Sequence, residues 1–152
     1  MEAHAAVTDA LEERLQAEMG LPLSWHEVMV RLSAAPEGSM RMQDLARSVL
    51  LSKSGVTRLV DRMQAAGLVD RRACSADRRV TYAAITEEGR DVLARAFPVF
   101  ARGFAESFAC FLSDDDARTL QATMEKILAG NGKADGRPCP STYLRGAPAP
   151  VG

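Results

Sequence analysis

Apolar residues recur at helical spacing along most of the chain. Between residues 5 and 19, Val7, Leu11 and Leu15 fall four apart, which predicts a helix stopped by Gly20 and then Pro22. Its apolar stripe is narrow and calls for another helix to lie against, from this chain or from a second copy. Ser24-Trp-His-Glu27 has the pattern of a capping box, with the Ser24 hydroxyl on an orphan amide and Glu27 reaching back. The helix behind it places Trp25, Val28, Met29 and Leu32 on one face, and Pro36-Glu-Gly38 ends the loop that follows.

The centre of the chain carries two short amphipathic segments. Gln43 to Val49 turns Leu45, Ala46 and Val49 inward; Ser52 then caps a helix running to about Ala66, with Val56, Leu59, Val60 and Met63 on one face. The opposite face holds Lys53, Ser54, Thr57, Arg58, Asp61 and Arg62. Two short helices joined by a tight turn, the second polar and basic outward, predict a helix-turn-helix whose second helix enters a major groove. Serine and threonine hydroxyls can approach base edges there, and Arg58 and Arg62 can reach guanine or phosphate. Gly67 closes this helix. Leu68 to Ala73 and Arg79 to Ile85 then read as two strands of a hairpin, with Asp77, Arg78 and Arg79 at its tip. Such a tip is a wing, whose arginines suit the negative potential of a narrow minor groove and whose aspartate can hold one of them in pose.

Thr86 predicts the start of a longer helix, with Glu87 and Glu88 in the first turn where the helix dipole favours acids. All five phenylalanines, Phe97, Phe100, Phe104, Phe108 and Phe111, follow at helical spacing, so this helix is expected to carry them as one packing stripe, kinked near Ala94 to Phe97 by Pro98. Ser113 caps a last helix with Asp114, Asp115 and Asp116 at its start and Leu120, Met124, Ile127 and Leu128 on one side. Residues 130–152 contain five glycines and four prolines and read as a flexible tail. The expected architecture is mainly α with a small β wing. An N-terminal dimerisation helix (1–20) precedes a winged helix-turn-helix lobe (21–90), C-terminal dimerisation helices (91–129) and the tail (130–152). The long helices exceed what a lobe of this size can cover, and a twofold dimer would place two recognition helices about one duplex turn, roughly 34 Å, apart on a palindromic site.

Composition sharpens this picture at two points. The 152 residues carry a net charge of −1, which hides an asymmetry: residues 1–40 sum to −5, 41–90 to +4 and 91–152 to zero. The cations therefore gather on the helix-turn-helix and wing: Lys53, Arg58, Arg62, Arg71, Arg72, Arg78 and Arg79, opposed by Asp61, Asp70 and Asp77. A solvated basic face is the bland alternative, and a winged helix used for protein docking, with incidental charge, is the competing function. Second, Cys74, Cys110 and Cys139 form no CxxC pair and stand at no metal-site spacing from His4 or His26, which argues for reduced thiols and against a metal or other cofactor. No Ser/His/Asp order, Gly-rich phosphate loop or paired-acid motif suggests an enzyme. With no apolar run of membrane-span length and an acidic N-terminal stretch, a soluble cytoplasmic protein is expected.

The residues Asp44-Leu-Ala46, Leu51-Ser-Lys-Ser-Gly-Val-Thr-Arg-Leu-Val-Asp-Arg-Met63, Gly67-Leu-Val69, Asp77-Arg-Arg79 and Ile85-Thr-Glu-Glu-Gly89 together resemble the MarR family of winged-helix transcription regulators over about Leu21 to Leu128. The resemblance implies a homodimer on double-stranded operator DNA, usually a repressor released by a small, often phenolic, ligand. It implies that Ser52, Lys53, Ser54, Thr57, Arg58 and Arg62 read the major groove and backbone, and Arg78 and Arg79 the minor groove. Met42 and Leu50 depart from the pattern, standing where the family often has a Ser or Thr cap and a turn glycine. Peroxide-sensing members carry a cysteine near the start of the first helix, which is absent here; Cys74, beside the wing arginines, is a weak substitute. The family's ligand site, where the first two helices meet the DNA-binding lobe, falls near Trp25 and His26, an aromatic wall and an imidazole able to hold an aromatic acid. Read from the helix alone, Trp25 belongs to the core and His26 to solvent.

Overall fold

The computed structural model describes residues 2–49, 51–73 and 80–131; the wing tip Cys74 to Arg79, Leu50 and the tail from residue 132 lie outside the described residues. The chain gathers into two units, Glu12–Val99 and a second made of residues 2–11 with 100–131. Helices α1 (Glu2–Met19), α2 (Leu23–Ala34), α3 (Met42–Ser48), α4 (Lys53–Ala65), α5 (Glu87–Ser107) and α6 (Asp114–Gly130) alternate with strands β1 (Ser39–Arg41), β2 (Val69–Ala73) and β3 (Thr81–Ile85). Single 3-10 turns occupy Pro36–Gly38 and Ala109–Phe111.

The Glu12–Val99 unit has a continuous core. Leu15, Val28, Met29, Leu32, Leu45, Val56, Val60, Met63, Val69 and Ala83 are almost fully buried. At about 1.5–3 kcal/mol for each large side chain withdrawn from water, this cluster supplies the main drive for folding the lobe. Its sheet is antiparallel in the order β1-β3-β2, with β2 paired to β3 from Val69↔Ile85 to Ala73↔Thr81 and β1 paired from Ser39↔Ala84 to Arg41↔Tyr82. The hairpin expected from the sequence is therefore present. The third strand, β1, was not expected: three residues are too few to show an alternating pattern, and Ser39–Arg41 is extended because β3 has an edge to pair. Arg41 crosses to Tyr82 on β3, its Nε donating to the phenolic oxygen at 3.1 Å.

The start of α2 corrects the expected Ser24–Glu27 capping box. Ser24 lies inside the helix, whose cap position is Pro22 with no side-chain bond. The N–H of Leu23 donates instead to Glu12 Oε2 on α1, at 2.7 Å. A carboxylate at the positive end of a helix is as good an acceptor as a hydroxyl, and this one arrives from eleven residues upstream. On α2 the expected environments of Trp25 and His26 are also exchanged. His26 is buried, 2% exposed, as are Leu23, Val28, Met29 and Leu32 of the same helix, whereas Trp25 is only half-buried.

The junction between α4, β2 and α5 explains the Ile-Thr-Glu-Glu-Gly run. Gly67 ends α4 with φ of 75°, a left-handed geometry that costs glycine nothing. Thr86 donates its hydroxyl to the Gly67 carbonyl at 2.7 Å and accepts the Gly89 N–H at 3.0 Å, capping α5 while tying it to the end of α4. Gly89 must be glycine for a different reason: a Cβ there would sit 2.2 Å from the Leu68 carbonyl oxygen.

Helix α5 runs through Pro98 but ends at Ser107, so it does not carry all five phenylalanines. Phe100 and Phe104 stack with ring centroids 6.2 Å apart, and Phe104 meets Phe108 at 5.0 Å. At Phe108 the backbone leaves the helix (φ −137°), and Phe111, in the following turn, is 78% exposed. Helix α5 therefore carries Phe97, Phe100 and Phe104 only, because the spacing of phenylalanines carries no information on where the hydrogen-bond ladder stops. Ser113 caps α6 as expected: its hydroxyl accepts the Asp116 N–H while the Asp116 carboxylate accepts from the Ser113 N–H and Oγ. These bonds hold the Asp116 carboxyl below its ordinary pKa. No helix among the described residues is long and apolar enough to cross a membrane.

Candidate nucleic-acid interface

Helix α4 is seated by Val56, Leu59, Val60 and Met63, all buried, so its other face is fixed toward solvent. On that exposed face the structure brings together Ser52, Lys53, Ser54, Thr57, Arg58, Asp61 and Arg62, as the spacing predicted. Ser52 occupies the cap position and its Oγ accepts the Gly55 N–H at 3.1 Å, lying also 3.1 Å from Ser54 Oγ. Thr57 donates its hydroxyl to the Lys53 carbonyl at 2.8 Å. The hydroxyl protons of this face are thus largely committed within the helix, and what Thr57 offers outward is acceptor lone pairs and a methyl group. Among the described residues no ion pair engages Lys53, Arg58 or Arg62, which run along the exposed face from the first turn of α4 to its last.

Arg71 does not belong with that free set. Its Nη2 lies 2.8 Å from Asp61 Oδ1 and donates to the Thr57 carbonyl at 3.1 Å, so β2 is strapped to α4 and one cation of the central cluster is neutralised. The sequence lists both residues as surface charge. Nothing local marks their partnership, since they are ten residues apart on different elements.

A cavity of about 380 Å³ opens between the starts of α3 and α4 and the strand end. It is lined by Arg41, Met42, Gln43, Lys53, Val56, Thr57, Arg71, Val80 and Thr81, so that Arg41, Lys53 and the Asp61-paired Arg71 stand with the apolar Met42, Val56 and Val80. Arg41 and Gln43 were not among the residues singled out from the sequence. Trp25 and His26, the candidates for a ligand wall, do not line this cavity. Burial pushes the His26 imidazole down to about 4, so at neutral pH it is uncharged and offers no ion pair to an acid. Asp77, Arg78 and Arg79 lie outside the described residues, as do Cys74 and Cys139; Cys110 is an exposed thiol after α5, its Sγ donating to the Glu106 carbonyl at 3.0 Å.

Two short helices joined by a turn, the second exposed and cationic, followed by a hairpin packed on it, define a winged helix-turn-helix. Comparison with known proteins places it more narrowly. The MarR family model matches residues 19–80. AbsC, a MarR family transcriptional regulator from Streptomyces coelicolor, is 31% identical, with a TM-score of 0.76 over 96% of this chain and 89% of that one. Sco3205, a MarR family transcriptional regulator from the same organism whose crystal structure is in complex with DNA, is 28% identical, with a TM-score of 0.78 over 85% of this chain and 81% of that one. The HTH-type transcriptional regulator MhqR of Bacillus subtilis (strain 168) is 30% identical over 91 residues, 60% of this chain and 62% of that protein. The chain spans about three fifths of the length of the curated relatives it matches. It belongs to the MarR family, whose members are transcriptional regulators and not enzymes.

Proposed function

We propose that this protein is a homodimeric transcriptional regulator of the cytoplasm that binds double-stranded DNA sequence-specifically and represses from a palindromic operator. The observation that carries the reading is the outward row Lys53, Ser54, Thr57, Arg58 and Arg62 on a helix locked to the core by its other face. A rigid helix with free arginines and small polar groups beside them is suited to place guanidinium donors against base edges, with Lys53 on phosphate. The DNA complex of Sco3205 supports the same use here. Arg78 and Arg79, supported by Asp77, are proposed to enter the minor groove. The dimer is supported by Met124, Ile127 and Leu128, which stand about half exposed along one face of α6, with Phe111 ahead of them.

Release by a small aromatic acid completes the proposal. The cationic cavity beside α4 suits such a ligand better than Trp25 and His26 do, because it offers charge where His26 offers a buried neutral ring. The test is selection of duplexes from a random pool by the full chain, followed by competition with aromatic acids. The expected result is enrichment of a two-fold site whose half-sites are about 10 base pairs apart, with Arg58→Ala losing discrimination as well as affinity. Failure to retain any duplex at low ionic strength would overturn the reading and leave protein docking as the use of this fold.

A further inference from the structure

We propose that Asp61 and Arg71 are positioning residues for DNA recognition: a strut that fixes the wing strand against the reading face of α4 while withholding one cation from the DNA backbone. The proposal rests on the DNA-binding reading above. Thr57 and Asp61 are one helical turn apart on the exposed side of α4, next to Arg58 and Arg62. A single guanidinium nitrogen of Arg71 meets both, pairing with the Asp61 carboxylate at 2.8 Å and donating to the Thr57 carbonyl at 3.1 Å.

An ion pair whose partners are 30% and 53% exposed adds little to stability by itself. Its geometry is the informative part. The bond to a backbone carbonyl cannot follow a rotating side chain, so it sets where β2 lies relative to α4 at the level of the residues that face DNA. Arg71 pairs with Ala83 in the middle of the β2–β3 register, two residues before β2 ends, so the strut fixes the root of the wing. Asp61 has a second effect. Among the described residues it occupies the one cation of Lys53, Arg58, Arg62 and Arg71 that an acid holds, and a guanidinium so held does not displace counterions from phosphate.

The two residues therefore have opposite signatures in salt titrations of duplex binding. Arg71→Ala removes the strut and is expected to weaken binding to the selected duplex about tenfold while leaving the slope of log affinity against log salt unchanged. Asp61→Asn releases a cation beside the groove; the slope is expected to steepen by about 0.9, the value of one added phosphate contact, and random duplex to bind more tightly, so that discrimination falls. Asp61→Glu should restore the wild-type slope and discrimination. Each variant is checked for an unchanged thermal transition, as expected of half-exposed side chains. A flatter slope for Arg71→Ala makes Arg71 a phosphate contact and overturns the strut, as does Asp61→Asn with wild-type slope and discrimination. Both results differ from failure of the parent reading, in which the wild-type chain itself shows no salt-dependent binding.

Discussion

Helices α4 and α6 are both amphipathic and both capped by serine, yet their apolar faces meet different fates. The 13 residues of α4 bury Val56, Leu59, Val60 and Met63 against the chain's own core. The 17 residues of α6 bury none, and Met124, Ile127 and Leu128 stand 49, 51 and 42% exposed. The pattern along the sequence is the same; what differs is whether one polypeptide contains the surface that answers it. An apolar stripe specifies a helix and a face, but not the molecule that covers the face. The core of the Glu12–Val99 unit is finished by one chain, and α6 is the face that the proposed second copy would complete.

The largest effect should come from α6. Replacing Met124, Ile127 and Leu128 together by serine should cost the dimer about 4 kcal/mol, roughly a thousandfold in its dissociation constant, given about 1.5–3 kcal/mol for each side chain fully covered. Sedimentation across a concentration series reads this, and the lobe's secondary structure should persist. A triple variant as dimeric as the parent would place the interface elsewhere and dissolve the contrast between the two helices.

Next in size is an acid sensitivity confined to the lobe. His26 titrates near 4 when folded and near 6.5 when exposed, so between those values the unfolded chain takes up a proton that the folded chain refuses. Stability contributed by the neutral imidazole is complete above pH 6.5 and declines as pH falls toward about 4, by at most roughly 3 kcal/mol. Denaturant titrations should show that decline, and His26→Leu should flatten it. A wild-type profile already flat over this interval would mean the ring is solvated after all. Gly89→Ala should cost the lobe about 2 kcal/mol, because the new methyl meets a backbone carbonyl and not a yielding side chain. Its shift in melting temperature should not depend on protein concentration, in contrast to the α6 variant.

How much of this was legible in the sequence follows the range of the interactions. The seated face of α4, the Ser52 and Ser113 caps and the start of α5 at Thr86 rest on contacts within a few residues, and the structure has them as the spacing implied. The α2 cap from Glu12, the β1 strand and the Asp61–Arg71 pair join residues ten or more apart, and no local pattern encodes them. His26 is the instructive error. A polar side chain at the edge of a helical stripe reads as solvated because histidine is usually half wet, whereas the structure leaves this one only 2% exposed. Arg71 shows the complementary failure, since a count of charges does not distinguish a cation left in solvent from one paired with an acid of the same chain.

The two serine caps give the finest test of the contrast. Ser52→Ala removes the acceptor for the Gly55 N–H, and Ser113→Ala the acceptor for the Asp116 N–H, each a loss of about 1 kcal/mol to its helix. Where the helix is part of the cooperative core, that loss must appear in global unfolding, because α4 cannot fray without exposing Val56 and Val60. Where the helix buries nothing of its own chain, it can open locally, and the loss should appear as faster hydrogen exchange in the first turns of α6 with the lobe's unfolding midpoint unmoved. Measuring both variants at a concentration where the parent is dimeric, and again where it is monomeric, separates the causes. If α6 is completed by a second copy, Ser113→Ala should come to resemble Ser52→Ala only in the dimer; equal behaviour at both concentrations would mean α6 is stabilised within its own chain.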